Sequence, residues 1–147
     1  MNIASILATK GGRVFTIRPE QSIREALALL AQHGVGALVV VDAAERPVGI
    51  LSERDIAREA ARDESLFPRA VREAMTRDVI VGYPQDDLKS VSYTMTEKHI
   101  RHLPVMDRGR LVGIVSIGDV VKAQRDLYEG EIDTLRVLMV EGRGEGD

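Results

Sequence analysis

The eleven residues Val48-Gly49-Ile50-Leu51-Ser52-Glu53-Arg54-Asp55-Ile56-Ala57-Arg58 recur 64 positions later as Val112-Gly113-Ile114-Val115-Ser116-Ile117-Gly118-Asp119-Val120-Val121-Lys122, with five positions identical. Most of the others are conservative exchanges, such as Leu51 for Val115 and Arg58 for Lys122. Each copy reads as a short buried strand running straight into a helix that opens with Ser and Asp. A small chain that carries this junction twice is constrained to be a tandem of like units.

The repeat extends beyond that stretch. Residues 14–41 align with 79–106 at an offset of 65, and the one-residue loss falls in the polar turn, where Asp42 to Pro47 becomes Asp107 to Leu111. Turns are where a chain tolerates such a change. Each unit opens with an extended segment, Val14 to Ile17 or Val79 to Val81, ended by Pro19 or Pro84. A helix follows. In the first unit Ser22 to Glu25 fits a capping box, with Ile23, Ala26, Leu27 and Leu30 on one face. In the second, Asp86 or Asp87 can cap, and Leu88, Val91 and Met95 carry the face. Then come an apolar strand (Ala37 to Val41; Leu103 to Met106), a second strand (Val48 to Leu51; Leu111 to Val115) and a helix opening at Ser52 or Ser116.

The order β-α-β-β-α, twice, predicts an α/β (α+β) fold whose Val/Ile/Leu runs are covered on both faces. A unit of about 60 residues buries only a thin core by itself, so the two are expected to pack together. Past the repeat, Leu127, Ile132, Leu135, Leu138 and Met139 predict an extra helix within 123–140, with Gly130 as the point of interruption. The polar, glycine-rich residues 141–147 are expected to be a disordered tail.

Composition narrows the function classes. With 44% hydrophobic and 29% charged residues the chain is ordinary for a globular protein, and with no Trp, three Tyr and two Phe its core must be aliphatic. A net charge of −3 argues against nucleic acid and anionic membrane as partners. The absence of cysteine removes disulfides, thiolate metal sites and a Cys nucleophile, and suits a reducing compartment. The first residues lack a basic-then-apolar leader, and no run approaches a membrane span, so a cytoplasmic location is expected.

The tandem β-α-β-β-α pattern, with Gly-apolar-apolar-Ser-x-x-Asp at each second strand-helix junction, resembles the CBS-domain pair, or Bateman module. Met75-Thr76 opening the second unit and Ile100-Arg101-His102-Leu103-Pro104-Val105 before its central strand match as well. The likeness covers roughly Ile3 to Arg125, of the stand-alone bacterial and archaeal type. It implies a first CBS domain at 1–70, a second at 71–125, a C-terminal helix at 126–140 and the tail at 141–147. It also implies two clefts that take adenine nucleotides (AMP, ADP, ATP, NAD(H) or S-adenosylmethionine), a homodimer, an unidentified regulated partner protein and no catalysis.

Carried over residue by residue, the resemblance assigns Asp55 and Asp119 to ribose hydroxyls. A carboxylate offers two acceptor oxygens to two vicinal donors, and a helix start also supplies free N–H groups. Ser-x-x-Asp is equally a capping-box variant that needs no ligand. Ser52 and Ser116 read as caps that also reach ribose or phosphate. Arg54 points at phosphate where its counterpart Gly118 gives close approach, so the clefts are not equivalent. Arg101 and His102 are expected opposite Asp55, and Gly36 and Ala37 opposite Asp119, with Lys10 supplying the second cleft's cation. Phe15, Thr16 and Ile80 are the adenine-wall candidates. His33, His99 and His102 show no metal-ligand spacing, and no P-loop, Gly-x-Ser-x-Gly or Gly-x-Gly-x-x-Gly is present. The leading expectation is a regulatory nucleotide-binding module. A small nucleotide-acting enzyme and a ligand-free oligomerisation scaffold are the alternatives.

Overall fold

The structure, a computed structural model, describes residues 1–145, with side chains through Val140. The first unit comprises β1 (Thr16–Ile17), α2 (Ile23–His33), β2 (Ala37–Val41), β3 (Pro47–Ser52) and α3 (Glu53–Arg62), preceded by α1 (Ile3–Lys10). The second comprises α4 (Leu88–Glu97), β4 (His102–Asp107), β5 (Arg110–Ser116) and α5 (Ile117–Glu145), preceded by a short 3-10 turn (Val71–Glu73). The sheets are β1-β2-β3, with β1 parallel and β3 antiparallel to β2, and the antiparallel pair β4-β5.

Local chemistry places these elements. Ser22 Oγ caps α2 by accepting the Glu25 N–H (3.1 Å), but Glu25 pairs with Gln21 and does not reach back, so only half of the expected capping box forms. Of the two candidate caps for α4 it is Asp87 that accepts the Ser90 N–H (3.2 Å), while Asp86 holds the Tyr83 N–H of the preceding turn. Ile23, Ala26 and Leu30 of α2 and Leu88, Val91 and Met95 of α4 are buried, as helical spacing requires. All five residues of β2 are buried.

The second unit lacks the first strand expected at Val79 to Val81. In the first unit the Val39 N–H donates to the Phe15 carbonyl (3.1 Å), one rung of the β1-β2 ladder. The corresponding donor is position 104, a proline, which has no N–H to offer Ile80. Pairing therefore shrinks to a bridge at Gly82, which donates to Pro104 (2.8 Å) and accepts from Met106 (2.9 Å).

Helix α1 is an element the sequence reading did not foresee. Asn2 caps it in a reciprocal box with Ser5, and Ile3 and Ile6 are buried with α4, β4 and β5 in the second unit's core. Burial of two isoleucines is worth about 3–6 kcal/mol. Conversely, Leu66, Val71 and Ala74, which lead into the second unit, lie in the first unit's core. The division at 70/71 describes the sequence repeat, whereas each core draws on both sides of it.

These crossings account for the repeated glycine. A Cβ on Gly49 would lie 2.5 Å from Met75 Sδ and 3.1 Å from the Thr76 carbonyl, and one on Gly113 would lie 2.9 Å from Leu7 Cδ2. Each second strand must let the leading segment of the other unit pass.

The C-terminal helix does not start at 126 or break at Gly130. It is one helix with the second unit's last, from Ile117 to Glu145 and through Gly130, whose carbonyl accepts from Thr134 Oγ1 (2.9 Å). Of the expected disordered tail, 141–145 continue the helix, and Gly146 and Asp147 lie outside the described residues. Among the described residues no helix is long and apolar enough to cross a membrane.

Candidate functional site: two unequal clefts

The doubled junction builds two helix starts of the same design. Ser52 Oγ accepts the Asp55 N–H (3.2 Å) and Asp55 Oδ2 accepts from the Ser52 N–H (2.9 Å) and hydroxyl (3.0 Å). Ser116 and Asp119 repeat the box, with Asp119 N–H to Ser116 Oγ at 3.0 Å and Ser116 N–H to Asp119 Oδ2 at 2.8 Å. The capping role is therefore present in both copies. The carbonyls of Gly36 and Arg101 take the first helical N–H of α3 and α5, from Glu53 (3.0 Å) and Ile117 (2.8 Å). This brings residues 36 and 101 to the helix starts.

The first cleft is a cavity of about 500 Å³. Ser52, Arg54 and Asp55 of the first unit line it on one side, and Ile80, Arg101 and His102 of the second on the other. Asp55 is its buried acid, 6% exposed. Its Oδ1 accepts from Arg58 (2.8 Å) and more weakly from Thr76 Oγ1 (3.4 Å), so every oxygen of the carboxylate has a donor. Val79, Ile100 and Ile50 add apolar wall, and Asp78 and His99 complete the rim. A buried anion beside three arginines and an apolar wall can hold a polyol, an anion and a flat apolar ring at once.

The second cleft, about 460 Å³, gathers Phe15, Gly36, Ala37, Lys10, His102 and Ser116. Asp119 does not line it. Lys10 Nζ donates to Asp119 Oδ2 (2.6 Å) and to the Ile114 carbonyl (2.8 Å), and Asp119 opens instead on a neighbouring cavity of about 300 Å³ between α1 and α5. Lys10 lines both, standing between the carboxylate and the Gly36-Ala37 wall. Burial works to raise the Asp119 carboxyl, but the hydrogen bonds from Lys10 and the Ser116 N–H outweigh it and hold the group below its ordinary value. Phe15 stacks on His33 with centroids 3.7 Å apart, and the Arg13 guanidinium lies 5.3 Å from the Phe15 ring.

His102 belongs to both clefts. It pairs with Ser116 across β4-β5 at the position where Ala37 pairs with Ser52. Burial pushes its pKa down, Lys10 pushes the same way, Asp119 and Asp55 pull it up, and Arg101 lowers it, with the net below 6.5. The imidazole is thus held neutral between two acids and two cations. Thr16 sits exposed on β1 opposite Val39 and is not among the residues lining either cleft. Gly118, the counterpart of Arg54, carries no side chain and is not among the residues lining either cleft.

Sequence reasoning did not assign Ile50, Arg58, Thr76, Asp78, Val79, His99 and Ile100 to the first cleft, nor Arg13, Val14, His33, Gly34, Val35 and Ile114 to the second. Arg58 carried a signal, since it lies three residues after Asp55 on one helix face. His33 carried none, because its stack on Phe15 joins residues 18 positions apart. Among the described residues no group of three His, Asp or Glu is placed to hold a metal ion.

Two interlocked units, β-α-β-β-α and α-β-β-α, with a cleft on either side of their junction define a tandem-repeat module. The comparisons identify it. The CBS domain model matches twice, at residues 4–62 and 71–126, and the chain belongs to the CBS domain family. A CBS domain-containing protein of Bacillus subtilis, YhcV, is 36% identical over 122 residues, covering 83% of this chain and 86% of its own. The crystal structure of the CBS-domain containing protein ATU1752 from Agrobacterium tumefaciens superposes with a TM-score of 0.79 at 38% identity, over 84% of this chain and 99% of that one. The CBS domain pair of protein MJ0100, solved in complex with 5′-methylthioadenosine and S-adenosyl-L-methionine, matches with a TM-score of 0.73 at 30% identity, over 89% and 98%.

Proposed function

We propose that this protein is a regulatory module that binds an adenine nucleotide, with the Asp55 cleft as its principal site, and reports occupancy to a partner protein without catalysing a reaction. The observation that carries the reading is the buried Asp55 carboxylate facing Arg101 and His102 across a cavity of about 500 Å³. Ribose hydroxyls would take the Asp55 oxygen now held by Arg58, releasing that guanidinium toward the phosphate alongside Arg54 and Arg101. Val79, Ile80 and Ile100 would wall the base. Adenosine-containing ligands on the MJ0100 pair support the ligand class. The candidates are AMP, ADP, ATP, NAD(H) and S-adenosylmethionine. A homodimer in the cytoplasm, where these ligands circulate, completes the reading.

The second cleft is the weaker site in this account, because Lys10 occupies the carboxylate that its ribose would need. Calorimetric titration of each nucleotide into the protein tests both statements. One tight equivalent per chain, weakened at least tenfold by Asp55→Asn and little changed by Asp119→Asn, is expected. A loss of one charge-assisted hydrogen bond is worth about 1.5–3 kcal/mol, which is the source of that factor. Binding that Asp119→Asn abolishes and Asp55→Asn spares would reverse the assignment, and silence across the panel would end the nucleotide reading.

A further inference from the structure

Helix α5 changes character along its length. Its first turns pack on the second unit, where Val120 is fully buried and Ile117 and Ala123 lean on the same core. From Arg125 on the helix stands away from the fold. Leu127, Tyr128, Leu135, Leu138 and Met139 are each between 46% and 63% exposed. This projection lies past residue 126, where the family match ends.

Tyr128, Ile132, Leu135 and Met139 are spaced 4, 3 and 4, which is the a/d seam of a heptad and places them on one stripe. Glu129 and Arg136 fall on one flank of that stripe, and Glu131 and Leu138 on the other. If a second copy of the helix runs antiparallel with Ile132 opposite Leu135, then Tyr128 lies opposite Met139. In that register Glu129 also meets Arg136 of the partner, twice over. A parallel pairing would instead stack Arg125 on Arg125 in the seam, a like-charge contact. The antiparallel register has a further support. An open groove of about 750 Å³ runs along the base of the projection, lined by Met1, Leu127, Glu131, Thr134 and Leu135. It lies on the Glu131-Leu138 flank, where the partner's Leu138 would arrive. Val137 and Val140 stay off this interface.

We propose that the projecting part of α5 pairs antiparallel with the same segment of a second copy of this chain, seating Leu138 of each copy in the groove at the base of the other. This rests on the homodimer reading above and names its surface. At 1.5 Å per residue, the segment from Leu127 to Val140 gives an overlap of about 20 Å.

The chain has no cysteine, so introduced thiols report unambiguously. Under mild oxidation the double variant Tyr128→Cys/Met139→Cys is expected to form covalent dimers, while either single variant remains uncrosslinked. Ready crosslinking of the single variants would overturn the antiparallel arrangement. Sedimentation velocity of the full chain supplies the second reading. Ile132→Glu/Leu135→Glu should weaken the dimer at least tenfold with unchanged AMP titration, and Glu129→Arg/Arg136→Glu together should restore what either change alone weakens. A wild-type monomer would sink this proposal and the homodimer with it. A dimer indifferent to Ile132→Glu/Leu135→Glu would sink the α5 surface alone, and neither result bears on whether the Asp55 cleft binds nucleotide.

Discussion

Lys10 Nζ lies 2.6 Å from Asp119 Oδ2, whereas the corresponding carboxylate, Asp55, is held by Arg58 from its own helix at 2.8 Å. The two copies of one junction thus differ in who neutralises the acid: a cation from the helix of the other repeat in one, a neighbour three residues along in the other. The second arrangement leaves a ligand free to displace a half-exposed arginine. The first ties α1 to α5.

That tie has a pH signature. The Asp119 carboxyl is depressed below 3.8 in the fold, so the unfolded chain binds the proton more readily. Its stabilisation is fully present above about pH 4 and is lost as pH falls through the folded value. Lys10→Met should lower the melting temperature at pH 7, and the difference from wild type should shrink as pH falls through the folded value. Asp42 and Asp63 are also depressed, through N–H donors from Arg46 and Ser65 with burial working against them, so both proteins share that acid sensitivity and the difference between them isolates Lys10. An unchanged difference between wild type and Lys10→Met from pH 7 to pH 3 would show that the ion pair contributes nothing.

His102 titrates below 6.5 because burial, Lys10 and Arg101 outweigh Asp119 and Asp55. A phosphate entering either cleft adds negative charge beside it and should raise its pKa toward neutrality. Nucleotide binding is therefore expected to take up a fraction of a proton near pH 6 and to strengthen several-fold between pH 7.5 and pH 6. Titrations in buffers of different ionisation enthalpy read the uptake directly. His102→Asn should abolish both effects while leaving binding at pH 8 nearly intact, and proton uptake that persists in that variant would place the titrating group elsewhere.

What the sequence made legible was what is local. The caps at Ser22, Asp87, Ser52 and Ser116 and the apolar strands follow from residues within a few positions of one another. The facing of Arg101 and His102 with Asp55 was not local; it was implied by the resemblance to the CBS-domain pair, and the three residues line one cavity. Helix α1 had a local signal too, in Asn2-x-x-Ser5 and in the spacing of Ile3, Ile6 and Leu7, but it lies ahead of the aligned segments 14–41 and 79–106, so the repeat gives no second copy of it. The Lys10–Asp119 pair was not legible as a closed contact. It joins residues 109 apart, and the sequence reading offered Lys10 to a phosphate rather than to the acid.

Gly49 tests the interlock of the two units. A methyl there would press on Met75 Sδ at 2.5 Å and on the Thr76 carbonyl at 3.1 Å, and that carbonyl is held in a bridge with Ile50. The methionine tip can move and the carbonyl cannot without breaking the bridge. Gly49→Ala is expected to cost about 1–3 kcal/mol in urea unfolding. Combined with Met75→Ala it should cost less than the sum of the two single changes, the sign of a shared contact. Strict additivity would mean that the crossing segment does not feel the glycine.

Pro104 is the last and simplest case, because one missing proton explains a missing strand. In the first unit the Val39 N–H reaches Phe15, and position 104 is the counterpart that has no hydrogen to give to Ile80. Pro104→Val restores the donor in a fully strand-compatible residue, while the Gly82 N–H keeps its bond to the residue 104 carbonyl. The variant should gain a protected amide at position 104, visible by hydrogen exchange, together with up to about 1 kcal/mol of stability. Residues 79–81 would then be drawn into the sheet beside β4. Ile80 and Val79 line the Asp55 cleft, so a straighter segment there should also alter nucleotide affinity, whereas Asp119 and Lys10, which do not line that cleft, should keep their acid-dependent contribution unchanged. An amide at 104 that exchanges as fast as an unstructured one would show that something other than the proline keeps this strand from forming.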